Sequence, residues 1–127
     1  MVEYNADGYD DLRQYIYDNY NWLAILNDSG TELLRWDLLS NSNVTVDSDA
    51  TSNPIQYSIT ITGQDIVDAG GSLPQTLASQ EIHKTAGSST PFGSDVLRDS
   101  TGTERSATLE ATSDEVTVVF EQQAPQI

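Results

Sequence analysis

The feature that most constrains the fold is an alternating run in the middle of the chain, between Asn53 and Thr62. Every second side chain in it is large and apolar: Ile55, Tyr57, Ile59 and Ile61. This period, in β-branched and aromatic residues, predicts a strand with one buried and one wetted face. Burying four such side chains contributes about 6 to 12 kcal/mol at most, and ordering about eight backbone residues costs about 8 to 16 kcal/mol. The strand therefore has to cover a second apolar layer.

The residues before this run predict one amphipathic helix, over residues 8–20, with Asp7 as its N-cap. Apolar side chains recur at spacings of three and four and so share one face of the helix. These are Tyr9, Leu12, Ile16, Tyr20 and Leu23. The segment also holds more tyrosines than one stripe can bury, namely Tyr9, Tyr15, Tyr17 and Tyr20. A tyrosine surplus is typical of a contact surface, and a helix lying on its own sheet would explain it equally well.

The rest of the chain alternates short strand patterns with turn signals. Strands are predicted at 22–26, 31–38, 44–46, 55–62, 80–84, 96–98, 105–111 and 116–121. Residues 63–71 are interpreted as a loop with one helical turn around Ile66, and residues 122–127 as a polar tail. The predicted fold is therefore mainly β: a single domain over residues 1–127, an antiparallel β-sandwich of about seven to eight short strands with one N-terminal helix.

Charge is the strongest compositional signal. Twenty acidic side chains face five basic ones, the net charge is −15, and Lys84 is the single lysine. Such a chain repels itself unless salt screens it, and the screening length falls from about 8 Å at physiological ionic strength to about 3 Å at 1 M. The composition resembles that of haloarchaeal proteins and predicts a need for high salt. An ordinary acidic domain is the alternative.

Several function classes are disfavoured by what the sequence lacks. It has no cysteine, so disulfides and thiolate metal sites are excluded. It has no basic patch for nucleic-acid phosphates and no apolar run near the ~18 residues of a membrane span. The first residues do not form a signal peptide. We therefore expect a protein made in the cytoplasm, with no direct nucleic-acid or membrane partner.

Candidate chemistry is sparse. His83 is the only histidine, and no serine lies in a nucleophile-elbow pattern. Asp47 and Asp49 offer oxygen ligands at alternate positions, as a calcium loop would, without its glycine or distal glutamate. They are weak metal candidates, and non-specific cation association is the expected alternative. Asn27 and Asn43 match the N-glycosylation pattern. We expect no enzyme and no cofactor.

The order of the elements carries a resemblance. A helix at 12–20 leads into the strand 22–26, the long alternating strand follows mid-chain, Glu81 and Ile82 form an acidic-apolar pair, and 113–120 is an acid-rich turn and strand. In this order the chain resembles the helix-plus-β-sandwich modules in tail, baseplate and tail-fibre attachment proteins of tailed phages and archaeal viruses. It departs from them at residues 26–30, where a glycine-rich stretch is usual, and at 83–86, where Gly-Leu-Phe-Asp is usual.

The resemblance and the acidic composition together imply a non-enzymatic structural protein of a haloarchaeal tailed virus. It would be assembled in the host cytoplasm and act in the tail or baseplate as an oligomeric interaction module. Its partners would be further copies and other virion proteins. The predicted contact residues are Tyr9, Tyr15, Tyr17, Tyr20, Gln122 and Gln123.

Three alternatives remain open. A capsid decoration or turret protein would share the fold and composition. A cellular haloarchaeal module that binds carbohydrate or protein would need Trp22, Trp36 and Tyr57 exposed, whereas the alternation of the last two predicts burial. A small enzyme would need His83 beside a serine or carboxylate in a pocket.

Overall fold

The computed structural model describes residues 1–124 and confirms the predicted fold class. Within that range eight strands form two antiparallel sheets, in a sandwich-like arrangement with an N-terminal helix. The elements are α1 (Ala6–Asn19), β1 (Trp22–Asn27), β2 (Glu32–Asp37), β3 (Val44–Ser48), β4 (Ile55–Thr62), α2 (Gly63–Asp68), β5 (Gln75–His83), β6 (Gly93–Val96), β7 (Ala107–Leu109) and β8 (Glu115–Gln122).

The larger sheet has the order β2-β1-β5-β6, with β7 also pairing with β5, and the smaller has the order β3-β4-β8. On the side of β5 away from β1, β6 pairs with its last residues and β7 with its first. Strand β8 pairs with β4 over its full length, from Ile55 opposite Gln122 to Thr62 opposite Glu115. Strands β6 and β8 therefore lie at the edges of the two sheets.

The alternating run of the sequence is the centre of the smaller sheet. Its four apolar side chains, Ile55, Tyr57, Ile59 and Ile61, are all fully buried. They belong to one hydrophobic cluster with Leu23 and Ile25 of the facing sheet. The second apolar layer that the strand requires is thus β1, β2 and β5.

Helix α2 follows β4 and carries one fully buried side chain, Ile66. The Thr62 hydroxyl accepts from the Asp65 amide at 3.1 Å, and the Asp65 carboxylate accepts from the Thr62 amide at 2.8 Å. This capping box satisfies two amides that a helix start would leave unpaired. A Cβ on Gly63 would lie 2.1 Å from the Ala111 carbonyl oxygen, so only glycine fits there. The helical turn predicted around Ile66 is this six-residue helix.

Helix α1 starts earlier than predicted. It begins at Ala6 rather than at residue 8, and the predicted N-cap Asp7 is wrong. Asn5 is the N-cap, and its Oδ1 accepts from the Gly8 amide at 3.0 Å. Asparagine caps as well as aspartate does, and Asp7 then lies in the first turn, where its charge suits the helix dipole.

The buried face of α1 also differs from the prediction. Leu12 was expected inside but is 42% exposed, whereas Arg13 is only 8% exposed. The Arg13 guanidinium donates to the carbonyl oxygens of Ala50 at 3.3 Å and Ala124 at 2.8 Å, and it pairs with Asp10. Because these bonds need Arg13 inside, the helix turns Leu12 toward solvent.

Several strands begin or end at residues other than those predicted. Strand β5 starts at Gln75 instead of residue 80, because Leu77 pairs with both β1 and β7. The strands predicted at 96–98 and 105–111 lie at Gly93–Val96 and Ala107–Leu109. Gln122 is the last residue of β8 rather than the first of a tail. Residues 125–127 of the predicted tail lie outside the described residues.

Candidate interaction surface

The tyrosines of α1 divide into packed and exposed groups. Tyr17 stacks on Tyr57 with ring centroids 6.4 Å apart and planes at 8°. Tyr57 in turn lies 6.0 Å from Phe120. Tyr17 therefore fixes the helix to the core, whereas Tyr15 is exposed and Tyr9 and Tyr20 are half-buried. The interpretation of a helix lying on its own sheet thus holds for Tyr17, whereas a contact surface at Tyr9, Tyr15 and Tyr20 stays a prediction.

An aromatic cluster, defined as Tyr15, Tyr20 and Phe92, lies at the C-terminal end of α1. Tyr20 meets Tyr15 edge-to-face at 5.7 Å and Phe92 edge-to-face at 5.1 Å. Phe92 is 57% exposed. The Lys84 Nζ donates to the Tyr15 hydroxyl at 3.1 Å and lies 5.6 Å from that ring, and this hydrogen bond raises the pKa of Lys84. The cluster is thus an apolar patch with a cation at its rim.

The segment that carries Phe92 is fastened to the larger sheet. The Arg35 Nη1 donates to the carbonyl oxygens of Thr85 at 3.2 Å, Ala86 at 3.1 Å and Ser88 at 2.7 Å. Further along, the Phe92 amide donates to the Ile82 carbonyl at 2.8 Å. Phe92 is therefore presented from a segment with backbone anchors on both sides.

A groove opens beside the aromatic cluster, between edge strands β6 and β8. Its apolar half has a volume of about 280 Å³ and is lined by Tyr20, Ile82, Phe92 and Phe120, among others. Its acidic half has a volume of about 370 Å³ and is lined by Asp95, Arg98, Asp99 and Glu121. The two halves share Asp95, Glu121 and Gln123, so they adjoin. We call both halves together the edge groove.

Two of the groove carboxylates are already engaged. Arg98 donates to Asp95 through Nε at 2.7 Å and Nη2 at 3.0 Å, which lowers the pKa of Asp95 and raises that of Arg98. The Thr101 hydroxyl donates to Asp99 at 2.6 Å and lowers its pKa. The Glu121 carboxylate accepts no hydrogen bond from any residue in 1–124. The charge of Glu121 nevertheless acts on Arg98, and the lining of the acidic half holds three carboxylates against one guanidinium.

The two predicted glutamines differ in position. Gln122 is 8% exposed and its Nε2 donates to the Tyr20 carbonyl at 2.9 Å, which ties β8 to the end of α1. Its Oε1 is buried without a hydrogen-bond partner among the described residues, although the side chain lines the apolar half of the groove. Gln123 is exposed and lines both halves. Phe92 and the groove had no sequence signal, because they depend on contacts between distant segments.

The weak metal candidates, Asp47 and Asp49, lie outside the edge groove and accept hydrogen bonds from other residues. Asp47 accepts from the Ser58 hydroxyl. Asp49 accepts from the Thr51 hydroxyl at 2.7 Å and the Thr51 amide at 3.0 Å, and these bonds lower its pKa. Across residues 1–124 no group of three or more His, Asp or Glu side chains is placed to hold a metal ion.

The remaining sequence candidates do not line the edge groove. His83 is 1% exposed, and its Nε2 lies 3.6 Å from a carboxylate oxygen of Glu81. Tyr57 is fully buried, which raises the pKa of its hydroxyl, and Trp22 and Trp36 are half-buried. The Asn27 Oδ1 accepts from two turn amides, and the Asn43 side chain donates to Asp65. In the described part of the chain, no helix is long and apolar enough to cross a membrane.

Comparison with protein-family models, with curated proteins and with solved structures gives no match for this chain.

Proposed function

We propose that this protein is a non-enzymatic structural component of a haloarchaeal tailed virus, an interaction module of the tail or baseplate. The observation that carries the interaction role is the aromatic cluster at the rim of the edge groove. Exposed aromatic side chains are enriched in the cores of protein interfaces, and unpaired sheet edges are sites where further chains add. The viral and tail assignments are supported by the order of elements in the sequence.

The acidic surface supports the haloarchaeal part of the proposal. The net charge of −15 is opposed by five cationic side chains, of which Arg105 is exposed and Arg98 is paired with Asp95. Arg13 is buried, Arg35 holds the 85–88 segment, and Lys84 rests on Tyr15. Solvent salt is therefore the main source of screening.

Salt dependence tests that part directly. We expect native far-UV circular dichroism at about 2 M KCl and its loss below about 0.1 M, where the screening length reaches about 10 Å. Exposed-acid variants such as Asp11→Asn combined with Asp28→Asn should fold at lower salt than the wild type. A native spectrum in low-salt buffer free of divalent ions would contradict halophily.

The location of the protein within virions tests the viral part of the proposal. Antibodies raised against the purified protein should label the tails of virions from the source culture in immunogold electron microscopy. Genes for tail-tube or portal proteins should flank its gene. Label confined to heads would favour a capsid decoration role instead. Absence of the protein from purified virions would favour a cellular binding module.

Self-association tests the interaction role. Light scattering in about 2 M KCl, where surface charges are screened, should give a multiple of the monomer mass. The double variant Tyr15→Ser, Phe92→Ser should lower that mass. The matched control is Leu39→Ser, which removes an exposed apolar side chain outside the cluster. A wild-type monomer, or equal masses for all variants, would contradict self-association through this cluster.

A further inference from the structure

The walls of the edge groove are two strand edges. Strand β6 is the last strand of the larger sheet on that side, and β8 is the last strand of the smaller. Among the described residues the outer side of β8 meets other backbone only at Val119, whose amide donates to the Arg98 carbonyl at 2.9 Å. On β6 the Val96 amide already donates to the Asp95 carboxylate at 2.8 Å, and the Val96 carbonyl accepts from the Gln80 Nε2 at 3.1 Å. An extended peptide would therefore add along the remainder of the strand edges, since backbone groups at a sheet edge accept a further strand.

The apolar half of the groove has room for one large side chain. Its volume is about 280 Å³, while an apolar cavity of about 150 Å³ already admits benzene. Its ring-bearing walls, Tyr20, Phe92 and Phe120, offer the edge and face contacts that aromatic and aliphatic groups favour. Exposed Phe92 would lose its contact with water when such a side chain enters.

The acidic half specifies the charge of the occupant. Its lining has three carboxylates, Asp95, Asp99 and Glu121, against one guanidinium, Arg98. Asp95 already receives a two-bond guanidinium contact from Arg98, which shows how a carboxylate in this half takes an arginine. The lining therefore has an excess of negative charge, and Glu121, which is exposed and lines both halves, is placed to meet a second cation.

A second, independent observation lies in the apolar half. The Gln122 Oε1 is a buried acceptor without a partner in residues 1–124, and its side chain lines the cavity. A buried acceptor left unpaired loses the hydrogen bonds that water would give it, which is unfavourable. A donor on an entering segment, reached by a small shift of the Gln122 side chain, would supply the missing hydrogen bond.

From these features we propose that the edge groove binds an extended segment of a partner protein along β6. One large apolar side chain enters the Tyr20–Phe92–Phe120 half, and one Lys or Arg meets Glu121. Gly93 lines the apolar half and Asp95 lines both halves. Alternate residues of a strand share a face at about 7 Å spacing, so the two side chains of the segment are two residues apart. That the partner is a virion protein rests on the proposed function.

The test uses the full-length protein and a displayed library of random heptapeptides, selected at about 1 M KCl, where only close ionic contacts persist. We expect selected peptides to share an aromatic or large aliphatic residue with a Lys or Arg two positions away. Phe92→Ser should weaken their binding by about tenfold or more, as the loss of an interface aromatic does. Glu121→Gln should weaken it by about threefold to tenfold.

Two matched controls keep the result specific. Glu115→Gln removes an acid from the other end of β8, and Val46→Ser removes an exposed apolar side chain from β3. Neither should change the affinity, and circular dichroism should show all four variants folded. The absence of a shared motif would overturn the proposal. Selected peptides that bind Phe92→Ser and Glu121→Gln as tightly as the wild type would overturn it as well.

The peptide selection and the virion labelling can succeed or fail independently of each other. Peptide binding by a protein that is absent from virions would leave the groove assignment standing and remove the viral role. A protein found in virions whose groove selects no peptide motif would keep the viral role and remove the groove assignment.

Discussion

The two helices cover different parts of the sandwich by different means. Helix α2 has six residues, one fully buried isoleucine and a complete capping box. Helix α1 has fourteen residues, and its only buried side chain is Arg13. The short helix is held by apolar burial at one point, whereas the long one is held by hydrogen bonds and half-buried rings. The two helices thus differ in what holds them, and the one anchored by a buried arginine is the one beside the exposed aromatic cluster.

The substitution Ile66→Ala tests how α2 is anchored. It leaves a cavity under α2, and we expect a loss of about 3 to 5 kcal/mol in the free energy of unfolding. Urea unfolding at fixed high KCl measures it. Val67→Ala, at an exposed position of the same helix, should cost less than about 1 kcal/mol. Equal losses for the two variants would show that Ile66 does not anchor α2.

The corresponding change in α1 is Arg13→Ala. It removes the bonds to the carbonyls of Ala50 and Ala124, and we expect a loss of about 2 kcal/mol, since unpaired carbonyls that remain buried are costly. Hydrogen exchange should rise in α1 before it rises in β4. The control, Arg105→Ala, changes an exposed arginine. Unchanged exchange in α1 would contradict the anchoring role of Arg13.

The smallest effect concerns the turn before β8, next to α2. Asp114 accepts from the amides of Ala111 at 3.0 Å and Glu110 at 2.8 Å, and these bonds lower its pKa. Because the folded pKa is the lower one, the stability it contributes is present above the unfolded value of about 3.9 and is lost as the pH falls through the folded value.

Asp114→Asn should therefore flatten the decline in stability below about pH 4. Thermal unfolding at molar KCl across the acid range measures this change, because salt suppresses the general repulsion between acids. The exposed control Asp28→Asn should leave the slope as it is. A wild-type acid slope in Asp114→Asn would show that these amide bonds do not perturb the carboxyl group.

The prediction from sequence was most accurate where a single pattern of side chains determines which face is buried. Strand β4 alternates strictly, so its buried face was evident from the side chains. The helical periodicity predicted the wrong buried face at Arg13, because it treats arginine as a surface residue. It cannot show that Arg13 donates hydrogen bonds to the carbonyls of Ala50 and Ala124. Strand β5 was predicted too short, because Gln75, Thr76 and Ser79 are polar and a register shift near Ala78 breaks the alternation.

The edge groove lay beyond sequence reasoning for a different reason. Phe92 stands in a Gly, Ser and Pro-rich stretch without any period. Its contact with Tyr20 joins residues far apart in the chain, and Glu121 is brought beside Asp95 only by the packing of two sheets. Composition did indicate the aromatic surplus of α1, although not which rings are exposed.

The bond from Arg13 to Ala124 spans 111 residues of sequence. The bond from Gln122 to the Tyr20 carbonyl joins the end of α1 to the end of β8 over a similar distance. Contacts so distant in sequence form slowly during folding. We therefore expect these two anchors of α1 to form late, and the edge groove, which has β8 as one wall, to form with them.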